Sequence, residues 1–204
     1  INLPSSFSFT SGTFTETGTG TGSILNFTGG SNQTVNFSGT NSNTIFNFRL
    51  NNSAGITITG SLPINSGATF FRQAGSVTGT IAYNITNSTL AYTGGSMTTE
   101  NGEWPTTNGP VNVTLNTAAA ADVITLHAAR TLAATGVFTL TQGSIELNNN
   151  DLTISNTATT AVAGTGLGSS KMIRTSGTGR LFRGISTTAS SNYLFPVGET
   201  TGTT

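Results

Sequence analysis

A seven-residue rhythm of apolar pairs between residues 138 and 154 is the feature that most constrains this chain. The pairs are Phe138/Leu140, Ile145/Leu147 and Leu152/Ile154. Each pair brackets one polar residue, and four turn-prone residues separate it from the next pair. Such alternation predicts short strands with one buried face and one solvated face, joined by tight turns.

The short repeat favours a stack of turns over a set of hairpins. Three strand-plus-turn units would make one rung of about 21 residues, and parallel rungs stack about 4.8 Å apart. We therefore expect an all-β fold, a right-handed parallel β-solenoid of roughly nine or ten rungs. The same alternation could also build tandem β-sandwiches, which stay open as an alternative at this point.

The rest of the chain carries a weaker form of the same pattern. Apolar anchors recur between residues 24 and 92, with Gly- and Asn-rich corners between them. An alanine-rich stretch at 118–134 is the one place where a helix competes, but the alternation of Ile124 and Leu126 favours strands there.

Composition excludes several classes of function. Seven basic and seven acidic residues cancel, so no charged field exists to attract nucleic acid. No apolar run approaches the roughly 20 residues of a membrane-spanning helix, and we expect no membrane insertion. The absence of cysteine excludes disulfides and thiolate metal sites. Twelve phenylalanines, many at alternating positions, argue against a disordered chain.

Several segments resemble the repetitive β-strand modules of very large surface proteins of Bacteroidota. They are WPTTNGPVNVTLN (104–116), ITLHAARTLAATGVFTLTQGSIELNNNDLTI (124–154), KMIRTSGTGRLFR (171–183) and YLFPVGE (193–199), together with residues 26–70. The resemblance implies export, commonly by type IX secretion, and display as stalks, adhesins or filaments. It also implies that the chain is a fragment: a Thr-rich lead-in (1–22), a first solenoid module (23–102) and a second one (103–204).

The function expected from this resemblance is structural. We expect a non-enzymatic segment of an extracellular surface protein, a rod, stalk or filament used in adhesion or cell-to-cell attachment, with no cofactor and no metal. The expected partners are neighbouring modules of the same chain, further copies in a homo-oligomer or filament, and glycans or other cells. A carbohydrate-binding or carbohydrate-cleaving β-helix and an ice-binding solenoid are the alternatives.

The carbohydrate alternative depends on Glu100, Glu103 and Trp104. Paired carboxylates perform glycoside hydrolysis when they lie roughly 5–9 Å apart, and an exposed tryptophan can stack on a sugar. The competing interpretation is that Trp104 caps the core at a module junction, with Pro105 and Pro110 stiffening the connection.

A basic stretch suggests a contact with an anionic partner. It contains Lys171, Arg174, Arg180 and Arg183, with no acid between Asp151 and Glu199. The alternative is that these side chains occupy ordinary outward positions on strands. We expect the nearby acids Glu146 and Asp151 to be solvated.

Three further features have weaker functional interpretations. The threonines at alternate positions from Thr13 to Thr21 could form a flat ice-binding face or a simple linker. Asn148–Asp151 could bind calcium through oxygen atoms, although an Asn-rich turn fits better. His127, the only histidine, has no second ligand or nucleophile near it in sequence, which favours a polar strand position.

Overall fold

The protein is an all-β parallel β-solenoid of about eight turns. The computed structural model describes residues 1–10, 13–14, 23–37, 40–41, 47–188 and 192–199, with the backbone alone at 13–14 and 40–41. Neighbouring strands within the sheets run parallel, which confirms the solenoid prediction and excludes the hairpin-built sandwiches.

The strands are short, as tight corners require. They are β1 (Asn2–Leu3), β2 (Phe7–Phe9), β3 (Thr13–Phe14), β4 (Ile24–Phe27), β5 (Gln33–Phe37), β6 (Thr40–Asn41), β7 (Asn47–Asn51), β8 (Ile56–Ile58), β9 (Pro63–Ile64), β10 (Thr69–Ala74), β11 (Val77–Thr78), β12 (Ala82–Tyr83), β13 (Thr89–Tyr92), β14 (Met97–Thr98), β15 (Asn112–Asn116), β16 (Val123–Thr125), β17 (Arg130–Leu132), β18 (Phe138–Gln142), β19 (Ser144–Glu146), β20 (Leu152–Ile154), β21 (Val162–Gly164), β22 (Ile173–Arg174), β23 (Leu181–Arg183) and β24 (Val197–Gly198). A single 3₁₀ turn at Thr159–Ala161 is the one helical element among the described residues, so the strand prediction for 118–134 is confirmed by β16 and β17.

The chain divides into two compact units. The first consists of Ile1–Ala91 and Glu100–Val111. Its larger sheets have the strand orders β1-β4-β7-β10-β13 and β2-β5-β8-β11, with β9-β12 and β3-β6 as two-stranded sheets. The core is a column of like residues: Phe48 pairs in register with Leu25 on one side and Phe70 on the other, and its ring stacks on Phe27 at 6.3 Å.

The second unit consists of Tyr92–Thr99 and Asn112–Thr204. Its sheets have the orders β15-β18-β21, β14-β16-β19-β22-β24 and β17-β20-β23. The three strands of the seven-residue rhythm each belong to a different one of these sheets, and all six of their apolar residues are fully buried. Gly143 and Asn148 take left-handed φ values of 80° and 51° at the corners between them.

Most turns are longer than the predicted 21 residues. Their length runs from 19 residues, between the paired Pro63 and Ala82, to 29 residues, between the paired Leu152 and Leu181. Longer connections at the corners account for the difference, and they explain why the chain makes about eight turns instead of nine or ten. The division into a lead-in and two modules at residues 23 and 103 stays a prediction about a longer chain.

No helix within the described ranges is long and apolar enough to cross a membrane.

Candidate functional site

Residues Glu100–Trp104 cover the last strand of a sheet in the first unit. Strand β11 ends the sheet β2-β5-β8-β11, and its outward amide, Val77 N, donates to Glu100 Oε2 at 2.8 Å. Shortly after this strand, Ile81 N donates to the carbonyl oxygen of Gly102 at 2.9 Å. The exposed edge of a sheet can pair with a strand of another chain. Here the Glu100 side chain and the Gly102 carbonyl group occupy that edge instead. We call Glu100–Trp104 the cap.

Glycine is required at the centre of the cap. Gly102 is buried, and a Cβ atom added there would lie 2.0 Å from the carbonyl oxygen of Val77. Any larger residue would therefore have to lift the cap from the strand below it.

A buried arginine holds the cap from the neighbouring turn. Arg72, on β10, contacts Glu103 Oε1 through Nη1 at 2.5 Å and Glu100 Oε1 through Nη2 at 2.9 Å, and its Nε donates to Gly75 O at 3.0 Å. Arg72 is 3% exposed and Glu103 is fully buried. Removing such charges from water is costly, and the hydrogen bonds between them offset part of that cost. Glu103 Oε1 also accepts the amide of Glu100 at 2.8 Å.

Burial sets the protonation chemistry of the cap. Desolvation raises the pKa of the Glu103 carboxyl, and the Arg72 guanidinium opposes that shift. Burial, aided by the Glu103 charge, raises the pKa of Tyr83 well above its ordinary value. The phenol is therefore a permanent donor, and it bonds the carbonyl oxygen of Glu103 at 2.7 Å.

The three predicted ligand contacts lie together, but two of them, Glu103 and Trp104, are buried. Trp104 is 1% exposed, and its indole offers no open face for a sugar. Glu103 is fully buried, and only the Glu100 side chain, 35% exposed, reaches solvent. The arrangement matches the capping interpretation of Trp104. Sequence reasoning missed Arg72, whose signal was a lone charge inside an apolar strand.

The predicted basic patch is engaged within the fold of the second unit. Arg174 lies 3.6 Å from Glu146, and Arg180 lies 3.2 Å from Asp151. Each acid sits one turn before its base, since Glu146 is the registered partner of Arg174 in β19 and β22. A stretch with no acid in sequence thus has acids beside it in space.

The other two basic residues of the patch bind carbonyl oxygens. Lys171 Nζ donates to Thr165 O at 3.0 Å. Arg183 donates to the carbonyl oxygens of Ala158 and Thr159 at 2.9 and 2.6 Å, and its guanidinium lies over the ring of Tyr193 at 5.0 Å.

The expectation that Glu146 is solvated was wrong. The residue is 7% exposed. Burial alone would raise the pKa of its carboxyl, but hydrogen bonds from Asn148 N and from Ser176, together with Arg174, outweigh burial and hold that pKa below its ordinary value. Asp151 is more open, and its hydrogen bonds with Arg180 lower its pKa.

The remaining candidates form hydrogen bonds within the fold where they are described. Asn148–Asp151 forms a turn, in which Asn149 Oδ1 accepts Thr178 N at 3.1 Å. The His127 ring lies between Thr99 Oγ1 at 2.8 Å and Arg130 Nη2 at 3.0 Å. Among the described residues no group of three His, Cys, Asp or Glu could hold a metal ion. The threonines from 15 to 21 lie outside the described residues, and Thr13 is described only as backbone of β3.

Comparison with known proteins adds no relative. No protein-family model, no curated protein and no solved structure matches this chain.

Proposed function

We propose that this chain is a structural segment of a large extracellular surface protein, one that forms a stalk or filament for adhesion or cell-to-cell attachment. The observation that carries the proposal is the use made of the charged side chains. Arg72 and Glu103 are buried and form one ion pair, and the buried Glu146 forms another with the partly exposed Arg174. This use of the charged side chains within the fold supports a structural function.

Buried amides add a second set of links between successive turns. Asn52 Nδ2 donates to Gln33 Oε1 at 3.1 Å, and Gln33 Nε2 donates to Leu3 O at 2.8 Å. Both amides are at most 2% exposed. Three successive turns of the first unit are thereby connected by side chains as well as by strand hydrogen bonds. Since each turn of a solenoid contacts only its neighbours, such links suit an element that bears load.

Export and surface display are supported by the sequence resemblance. Two of the segments that carry it, 104–116 and 124–154, contain Trp104 of the cap, strand β15 and nearly all residues of β16 to β20. The partners that follow are the neighbouring modules of the same long chain, and type IX secretion is the proposed route.

Antibody labelling of the producing cells tests the location. Antibodies raised against the recombinant chain should label intact, unpermeabilised cells, and immunogold electron microscopy should place the label on extended surface structures. An in-frame deletion of the region that encodes the chain should reduce attachment of the cells to one another or to a surface. Labelling that requires permeabilisation would contradict the proposal.

A binding assay separates the structural function from the carbohydrate alternative. Glu100 is the only member of the Glu100/Glu103/Trp104 set with solvent access, so any sugar contact should involve it. We expect no binding or cleavage of polysaccharide that depends on Glu100. The variant Glu100→Gln should therefore behave like the control Glu199→Gln, which changes an exposed carboxylate elsewhere. A loss confined to Glu100→Gln would favour the carbohydrate function.

A further inference from the structure

The chain contains two Asn-Gly pairs, and both lie in the segment of the first unit that includes the cap. They are Asn101–Gly102 and Asn108–Gly109. Asn-Gly is the dipeptide most prone to a chemical self-modification, because glycine has no side chain to block the approach of its amide nitrogen to the preceding side chain. The surroundings of the two pairs differ sharply.

The first pair is fixed by the cap. The carbonyl oxygen of Gly102 accepts Ile81 N at 2.9 Å, and Trp104 N donates to Glu100 O at 3.1 Å across the same turn. Gly102 is buried, and it packs so closely against Val77 that an added Cβ atom would lie 2.0 Å from the Val77 carbonyl oxygen. The amide nitrogen of Gly102 cannot swing toward the Asn101 side chain unless the cap opens.

In the second pair Asn108 is exposed and Gly109 is half-buried, and neither residue forms a hydrogen bond with the described part of the chain. Asn108 is an exposed residue in the left-handed conformation, with φ of 51°. Residues 105–110 form no hydrogen bond with the described part of the chain. The buried residues Trp104 and Pro110 are the two ends of this loop. Local motion that brings the Gly109 nitrogen to the side-chain carbon of Asn108 breaks no hydrogen bond of the fold.

We propose that Asn108 is a site of spontaneous modification through a cyclic imide, and that Asn101 is protected by the cap. The Gly109 nitrogen attacks Cγ of Asn108, a C–N bond forms, and the side-chain amide leaves as ammonia. Water then opens the imide at one of its two C–N bonds. The product is either an aspartate or an isoaspartate, in which the main chain runs through the former side chain. No oxidant or enzyme is needed.

The modification changes the charge and the backbone geometry of the loop at Asn108. Asn108 lines a cavity of about 600 Å³ together with Ile81, Tyr83 and Ile85 among others. Either product adds a negative charge to a chain whose formal net charge is zero. The isoaspartate also lengthens the backbone between Trp104 and Pro110. This inference is independent of the proposed function and stands or falls separately.

Peptide mapping of the folded chain tests the proposal. A glutamyl endopeptidase cuts after Glu103 and so places Asn101 and Asn108 in different peptides. After incubation at mildly alkaline pH, we expect the Asn108 peptide to gain the mass of an amide-to-acid conversion at least about tenfold faster than the Asn101 peptide, a barrier difference of about 1.4 kcal/mol. Asn108→Ser should abolish the major product, and Asn101→Ser should leave it unchanged.

The unfolded chain supplies the reference. In concentrated urea the two pairs should convert at similar rates, because the cap no longer exists. Equal rates in the folded chain, or faster conversion at Asn101, would overturn the proposal. So would a folded chain in which neither residue converts while both convert in urea.

Discussion

Replacing Arg72 by methionine should be among the most damaging single changes in the first unit. The substitution keeps most of the side-chain volume but removes the partner of both cap glutamates. Glu103, fully buried, would then hold a carboxylate with no cation beside it. Breaking a buried ion pair from one side typically costs about 3–5 kcal/mol. A domain's whole stability is about 5–15 kcal/mol, so the loss is a large share of it.

The stability lost in Arg72→Met should decrease as the pH falls. Without Arg72 nothing opposes the desolvation that raises the pKa of Glu103. A buried acid with a raised pKa binds more protons in the folded state than in the unfolded state, so the Arg72→Met variant gains stability as the pH falls. The difference between Arg72→Met and the wild type should therefore shrink on acidification. The double variant Arg72→Met/Glu103→Leu should recover much of the loss, because an apolar pair carries no desolvation cost.

Trp104 makes the measurement simple. It is the only tryptophan and is buried in the cap, so its fluorescence during urea denaturation reports on the first unit. The midpoint and slope give the free energy of unfolding. A change below about 1 kcal/mol, the value expected for a surface pair, would refute the reasoning, as would a double variant no more stable than the single one.

Three further changes test other contacts. Glu146→Gln should lower the stability of the fold at neutral pH and flatten the decline of stability below pH about 4.5. A carboxyl whose pKa is lowered in the folded state stabilises the fold above its unfolded-state pKa, and this contribution is lost as the pH falls through the folded-state pKa. Denaturation midpoints measured against pH check this. Gly102→Ala should cost about 1–3 kcal/mol, since the new methyl group clashes with the Val77 carbonyl, and Trp104 fluorescence should shift as the cap lifts. Phe138→Ala should cost about 3–5 kcal/mol by chemical denaturation, whereas Ile85→Ala, at a residue 71% exposed, should stay within about 0.5 kcal/mol.

Each of these has an outcome that contradicts the account. A parallel pH profile for wild type and Glu146→Gln would mean that the carboxyl is solvated after all. Unchanged fluorescence in Gly102→Ala would mean that the cap is loose. Equal effects at Phe138 and Ile85 would mean that the predicted core is not packed.

The local features of the fold were predictable because they depend on neighbours in sequence. Alternating apolar residues at Phe138, Ile145 and Leu152 define strands, and Gly143 and Asn148 provide the left-handed corners between them. The alternation and the turn residues extend over only two to four positions, so they can be recognised from a short stretch of sequence.

The site was less predictable because it depends on which residues of successive turns are neighbours. The turn length varies, so the distance in sequence from Arg72 to Glu103, or from Glu146 to Arg174, follows no fixed repeat. Without that register, Glu103 looked like a surface acid beside an aromatic residue, and Arg174 looked like part of an unpaired basic stretch. Both are partners in ion pairs that link segments far apart in sequence.

A cross-linking experiment tests the stacked parallel register most directly. Thr114 and Thr139 are registered partners on β15 and β18, and parallel neighbours lie about 4.8 Å apart, within the range that a disulfide spans. The chain has no cysteine of its own, so Thr114→Cys/Thr139→Cys is free of competing thiols. We predict rapid disulfide formation in this variant and little in the control Thr114→Cys/Val137→Cys, which is two residues out of register. Equal cross-linking in both, or none in the registered pair, would contradict the solenoid.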